Sequence, residues 1–404
     1  MGEKELKNFF ENYLQKEPLF KDKKALQSHY TPKNVPYRED QIRVLAGILA
    51  PALRKEKPSN VFIYGKTGTG KTLCVKHVSQ NMMAIAKEKN IALQIFYLNC
   101  KMKRVADTEY RLVAQLAREF GVDVPATGLP TDEVYKIFVN ELVNKEILLI
   151  IILDEIDQLV AKAGDELLYN FTRMDSELKN SQVSIIGISN DLVFTDNLDP
   201  RVKSSLSEEE IVFPPYNALQ LQKILHQRAK IGFKEGVIED GVIEKCAAYA
   251  AREHGDARRA LELLRVAGEL AERSNIPHIT IDFIDMAEEK VERDRILDIV
   301  NTQPKQFKLT LYSIFHSVVN GNGGNPVFTS DIYDFYQNCC YRVSIKPLTQ
   351  RRVSDIIAEL DMQGIINAKV VSKGRYGRTR QISLAIPQST IPKVQDILKE
   401  GLDL

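Results

Sequence analysis

The stretch that decides the fold reads Val61-Phe62-Ile63-Tyr64-Gly65-Lys66-Thr67-Gly68-Thr69-Gly70-Lys71-Thr72. Its first four residues are β-branched or aromatic and predict a buried strand, and the apolar spacing from Leu73 onward predicts a helix. The turn between them completes the pattern GxxxxGK[ST] in the strand–loop–helix setting that gives the pattern its meaning. Glycines at 65, 68 and 70 let the backbone curl, so that the N–H groups of Gly65, Lys66, Thr67, Gly68, Thr69 and Gly70 can point at phosphates, with the field of the helix N-terminus behind them. Lys71 would reach the β- and γ-phosphates and the Thr72 hydroxyl would ligate Mg2+. ATP or ADP with Mg2+ is the expected cofactor.

Outward from this loop, short β-branched runs alternate with helical patterns up to Pro214: Leu93 to Leu98, Ile147 to Leu153, Val183 to Ile188 and Ile211 to Phe213. With Val61 to Tyr64 they make five strands of a mostly parallel α/β sheet. The run Ile147 to Leu153 ends in Asp154-Glu155-Ile156-Asp157, 83 residues after Lys71. A buried strand of a doubly wound sheet delivers such carboxylates to its C-terminal edge, beside the phosphate loop. Asp154 is expected to hold the Mg2+ shell and Glu155 to polarise the attacking water, with Asp157 left in solvent. The strand Val183 to Ile188 delivers Asn190 to the same edge, where an amide can orient water or sense a γ-phosphate.

Composition bounds the rest. A chain of 404 residues exceeds one ordinary core, and 44% apolar with 27% charged residues is ordinary globular usage. The longest apolar run has seven residues, far short of the roughly 20 that cross a bilayer. The charged start MGEKELKNFF is no signal peptide, and a cytoplasmic, nucleoid-associated protein without membrane partners is expected. Five cysteines without CxxC spacing read as thiols in a reducing compartment, and six histidines without HxxxH offer no side-chain metal site. The net charge is +1, but residues 305 to 404 hold 13 Lys+Arg against 8 Asp+Glu, leaving 42 against 46 for the remainder. The basic excess is C-terminal.

Domains are expected at 1–36, an amphipathic helix over 2 to 14 and a draped linker; at 37–214, the α/β domain; at 215–300, four helices; and at 301–404. In the last, helices near 307 to 319, 329 to 340 and 349 to 363, then strands Ile365 to Val371 and Gln381 to Ile386, spell a winged helix.

GKTGTGKT, LDEID and Ser189-Asn190 together resemble the AAA+ ATPases, where Asn190 falls at the position called sensor 1. Gly255-Asp256-Ala257-Arg258-Arg259 is similar to sensor 2 of that family, which implies that Arg258 closes a helical lid onto the γ-phosphate while Arg259 faces elsewhere. Leu198-Asp199-Pro200-Arg201 followed by Ile211-Val212-Phe213-Pro214-Pro215-Tyr216 resembles the archaeal origin-recognition and cell-division-control type initiators, from about Pro36 to Ile386. That likeness implies nucleotide contacts from Tyr216 and Arg228, and from Tyr37 and Arg38 in an adenine-flanking segment. It also implies an arginine finger offered to a neighbouring subunit, at Arg201 or one turn on, where this chain has Ser205; without it in trans, turnover is slow.

For DNA, Thr349, Gln350, Arg351 and Arg352 fall in the first turn of the presumed recognition helix, the part that meets base edges and phosphates in the major groove. The hairpin tip, Ser372 to Arg380, carries Lys373, Arg375, Arg378 and Arg380 with no acid, suited to a narrow minor groove. The resemblance adds Lys101, Lys103 and Arg104, where initiators insert a helical element against DNA; a solvated basic turn is the other reading. The leading expectation is an ATP-switched initiator that hydrolyses slowly, binds double-stranded origin DNA and recruits the replicative helicase, with other initiator subunits as further partners. A signalling or transcription-regulating ATPase with a protein-binding winged helix, and a clamp-loader-like remodeller, are the alternatives.

Overall fold

The computed structural model describes residues 5–7, 10–11, 17–27, 30–32, 34–101, 108–125, 128–143, 145–174, 178, 180–319, 326–372 and 378–402. The chain divides into two compact units, Met1–Ile284 and Asp285–Leu404. Of the helix expected over 2 to 14, residues 5–7 and 10–11 are described and helical.

In the first unit β3 (Leu148–Asp154) is buried along its whole length. It lies between β2 (Leu93–Asn99) and β4 (Gln182–Ser189), and β4 continues through β1 (Val61–Tyr64) to β5 (Glu209–Val212). All four pairings are parallel, in the order β2-β3-β4-β1-β5. A parallel strand covered on both faces reads as a continuous apolar run because its alternate side chains enter two different cores. Leu149, Ile151 and Leu153 enter one with Leu112, Phe138 and Phe171 of the helices Glu109–Glu119, Thr131–Val143 and Glu166–Arg173. Ile150 and Ile152 enter the other with Leu45 and Val75 of the helices Glu39–Leu49 and Lys71–Glu88. β5 starts two residues before the expected run because, as an edge strand, it tolerates the exposed Glu209 and Glu210.

Beyond the sheet come the helices Ala218–Gly232, Val242–Arg252 and Ala257–Arg273, the helical segment that the resemblance makes a lid. The segment read as a draped linker is pinned to this lid. Leu19 N–H donates to Glu272 Oε1 at 2.8 Å, Lys21 N–H to the Gly232 carbonyl at 2.8 Å, and Phe20 stacks on Phe233 with ring centres 4.7 Å apart. Lys23 pairs with Glu269 at 2.7 Å. The fourth expected helix, Ile281–Thr302, runs eight residues past the expected 294 and enters the second unit.

The second unit is a winged helix. Helices Lys305–Val319, Thr329–Arg342 and Gln350–Met362 close one core with the antiparallel strands β7 (Ile366–Ser372) and β8 (Arg378–Leu384), to which the short β6 (Val327–Phe328) adds a third. A final helix, Ile391–Leu402, was not anticipated; Val394, Leu398 and Leu402 enter the same core at four-residue spacing. Tyr336, fully buried, gives its hydroxyl to Gln306 and accepts the Leu348 N–H at 3.0 Å, tying three segments together.

Phe138 is wholly buried between Phe120 and Phe171. Phe138→Ala is expected to cost about 3–5 kcal/mol, read as a lower urea midpoint for the sheet-containing unit.

Candidate nucleotide site

β1 delivers the chain to the loop Gly65 to Gly70 at the C-terminal edge of the sheet. Gly68 (φ 73°) and Gly70 (φ 91°) sit in left-handed backbone, where a side chain is strained. They are also crowded: a Cβ on Gly68 would lie 1.7 Å from Asp256 Oδ1, and one on Gly70 2.9 Å from the Tyr216 hydroxyl. The helix Lys71–Glu88 starts from Gly70 with no side chain capping it, so its first N–H groups are kept for a ligand. Lys71 is buried, and its ammonium donates to the Gly65 carbonyl at 2.7 Å, the Lys66 carbonyl at 2.9 Å and Asn190 Oδ1 at 2.9 Å. Loss of hydration lowers its pKa to about 8; Asp154 opposes this and Arg258 adds to it.

Asp154, at the end of β3, is buried. Its Oδ2 accepts from Thr72 Oγ1 at 2.8 Å and from the Tyr97 hydroxyl at 2.6 Å, and its Oδ1 accepts the Glu155 N–H at 3.0 Å. Glu155 leaves the strand in left-handed backbone (φ 56°, ψ 45°) as the N-cap of the helix Ile156–Ala163, a conformation found at sites that hold strain for a purpose. Its carboxylate lies 3.6 Å from Lys101 Nζ. Asp157, expected in solvent, instead accepts the Ser189 hydroxyl at 2.9 Å and so braces the end of β4. The oxygen-only pair Thr72 and Asp154, already in contact, fits a hard divalent cation such as Mg2+, which takes few protein ligands and keeps phosphates and water for the rest.

The lid supplies the opposite wall. Asp256 caps the helix Ala257–Arg273 by accepting the N–H groups of Arg258 at 2.7 Å and Arg259 at 3.3 Å, and Ala257 N–H donates to the Gly68 carbonyl at 3.3 Å. Arg258 lines the cavity, whereas Arg259 pairs with Glu253 at 3.1 Å. Arg228 is 7% exposed, its Nε and Nη1 have no hydrogen-bond partner, and its guanidinium lies 4.2 Å from the Tyr30 ring centre. Burial lowers its pKa. A buried guanidinium short of acceptors is expensive unless an anion completes it. Lys71, Thr72, Asp154, Glu155, Asn190, Arg228, Arg258 and Tyr216 all line one cavity of about 410 Å³.

The sequence matches ATPases associated with various cellular activities over residues 61–215, the Cdc6 AAA+ ATPase-type lid domain over 222–289 and the CDC6 C-terminal winged helix domain over 298–394. An ORC1-type DNA replication protein of Thermococcus onnurineus is 52% identical over 408 residues, covering all of this chain and 96% of that protein. The chain belongs to the ORC1-type replication protein family. A second member, from Pyrococcus furiosus, is 51% identical over 404 residues, covering 98% of this chain and 94% of that one. A solved structure of the Aeropyrum pernix ORC1 protein in complex with DNA has a TM-score of 0.85 at 45% identity, covering 95% of this chain and 98% of that one.

Several residues that family likeness pointed to lie away from the cavity. Arg38 is buried beneath the loop: Nε donates to the Thr69 carbonyl at 2.8 Å, Nη2 to the Pro214 carbonyl at 2.5 Å, and the guanidinium lies over the Tyr216 ring at 3.9 Å. It is a strut of the loop, and Tyr37 beside it (φ 62°) carries Lys223 over its ring at 5.7 Å; the adjoining cavity wall is Tyr30, Val35 and Pro36. Lys66 and Thr67 also stay outside the lining. Arg201 is exposed, paired with its neighbour Asp199 at 3.1 Å and over Tyr169 at 5.1 Å.

In the second unit Arg351 and Gln350 are exposed in the first turn of their helix, Thr349 accepts the Arg352 N–H at 3.4 Å as its N-cap, and Arg352 lies 3.8 Å from Asp355. Arg380 is turned inward, donating to the Ser354 carbonyl at 2.5 Å, so it ties the hairpin to the helix. Lys103, Arg104, Lys373 and Arg375 lie outside the described residues, and of Arg378 only the backbone, which opens β8, is described. Sequence reasoning missed Tyr97, Lys76 and Tyr30, none of which belongs to a motif. Asp256 was quoted within the turn before Arg258, but its part as a helix cap packed on Gly68 was not read from it, although a capping type beside Gly255 carries that local signal.

An anion at Lys71 favours its ammonium form. Affinity for ATP is therefore expected to be level below pH 8 and to fall above it by up to about tenfold per unit, with proton uptake detected by calorimetry in buffers of different ionisation enthalpy.

Proposed function

We propose that this chain is an ATP-dependent initiator of DNA replication that binds ATP-Mg2+ between sheet and lid, hydrolyses it slowly, and grips duplex origin DNA with its winged helix. The observation that carries the nucleotide reading is the convergence on one cavity of the loop lysine, the β3 carboxylates, Asn190 and two lid arginines, Arg228 lacking acceptors. Thr72 and Asp154 hold the metal ion, which supplies charge neutralisation to the phosphates when bound. Glu155 takes up the proton of the attacking water, Asn190 orients that water, and Arg258 carries the γ-phosphate state to the lid helix.

The DNA reading rests on the exposed Gln350 and Arg351 at the start of their helix, on the basic hairpin, and on the Aeropyrum ORC1 protein, whose solved complex contains DNA. Thr349 and Arg352 support that turn, and Lys101, Lys103 and Arg104 supply a second contact from the ATPase domain. Residues 37–214, 215–300 and 301–404 then act as nucleotide switch, lid and DNA grip, following the 1–36 segment. The ATP state sets the hold on DNA and the recruitment of the replicative helicase, and Arg201 serves the nucleotide of an adjacent initiator subunit.

Footprinting on chromosomal fragments with and without ATP tests the whole reading: a discrete protected site is expected, and uniform weak protection would favour a signalling ATPase. Arg351→Ala is expected to flatten the slope of log affinity against log salt by about one unit if it meets a phosphate. Lys71→Ala is expected to abolish nucleotide binding and Glu155→Gln to bind ATP without hydrolysing it, checked by filter binding and phosphate release; parent-level hydrolysis in Glu155→Gln would remove Glu155 from its role.

A further inference from the structure

The Asp154 carboxylate receives three hydrogen bonds from described residues, and the one from Tyr97 belongs to neither the phosphate loop nor its own strand. Tyr97 stands on β2, two residues before Asn99, the residue in register with Asp154. Its hydroxyl meets Oδ2 at 2.6 Å, within the range of short charge-assisted O–H···O⁻ bonds. The ring is held on its other side by Lys76, whose ammonium lies 4.1 Å from the ring centre, and both residues line the cavity.

An aspartate carboxylate turns freely about its last torsion, so only outside partners decide which way its oxygens face. It offers about four acceptor positions. Thr72 and Tyr97 share Oδ2, and the Glu155 N–H takes one place on Oδ1, which leaves about one for anything arriving from the cavity. The Thr72 hydroxyl can keep donating to Asp154 while its lone pairs turn to a cation. Tyr97, whose ring is clasped by Lys76, adds a second donor that restrains rotation of the carboxylate.

We propose that Tyr97 is a positioning residue for the metal ion: it orients Asp154 so that Mg2+ binds with the nucleotide. This rests on reading the cavity as a Mg2+-nucleotide site. Partners that orient metal-site groups typically change metal affinity by 10- to 100-fold when removed, so an effect of about tenfold is expected here.

The test uses the full chain and its Tyr97→Phe variant, which removes a single oxygen. Binding of a fluorescent ATP analogue is followed first in EDTA and then through a Mg2+ titration. The expected result is a metal-free affinity within about twofold of the parent and a Mg2+ midpoint about tenfold higher. An unchanged midpoint overturns the proposal and leaves Tyr97 as packing. Parallel loss of metal-free and metal-dependent binding overturns it too, by showing that the tyrosine holds the fold. A parent chain whose binding ignores Mg2+ is a separate outcome, and it takes down the underlying reading of the cavity together with the proposal.

Discussion

Positive charge held out of water is the constraint on which the first unit depends. Lys71 and Arg228 are buried beside one cavity that the exposed Arg258 also lines, and the acceptors that Lys71 uses are loop carbonyls and Asn190. Lys71 responds with a pKa near 8, and Arg228 keeps two nitrogens without acceptors beneath Tyr30. Such a site is favourable only when an anion completes it, since an unpaired buried cation is among the most costly things a fold can contain. A polyphosphate supplies several acceptors at once, which links its binding to the closeness of lid and sheet.

The same economy explains why the site stands where it does. Only at the C-terminal edge of the sheet do β1, β3 and β4 end side by side, bringing Gly65, Asp154 and Ser189-Asn190 together from positions far apart in the chain. The lid reaches this edge through backbone as much as through side chains: the first N–H of its Ala257–Arg273 helix bonds Gly68, and Asp256 fills the space beside that glycine. Loop and lid helix are therefore in direct backbone contact. Lys101, two residues past the end of β2, adds an ion pair to Glu155 at the same edge.

The second unit depends on a different balance. Its described interior is largely apolar, with the Tyr336 hydroxyl satisfied from both sides and the buried Thr310 and Ser313 hydroxyls donating to carbonyls of their own helix, and the exposed helix start and the hairpin sequence carry the basic charge. Arg380 shows how the two are related: its guanidinium is used within the unit, fixing hairpin to helix, while Arg351 stays exposed on the helix itself.

Much of this was legible before any coordinates. Strand-forming runs, the glycine-rich loop and the carboxylates after Ile147 to Leu153 are local signals, because a residue's backbone preference and the period of its apolar neighbours are written in the chain around it. Sequence by itself determined the parallel sheet, the helical segment after it, the winged helix and the glycine-rich loop between β1 and its helix. It did not show that Arg38 supports the loop from below, that Arg380 faces Ser354, that the linker is bound to the lid, or that a last helix closes the second core. Nor did it show Tyr97 on Asp154. Those facts depend on which residues, 57 apart for Tyr97 and Asp154 and 176 apart for Arg38 and Pro214, are brought within hydrogen-bond reach, and that is set by packing of the whole unit, which no local pattern encodes.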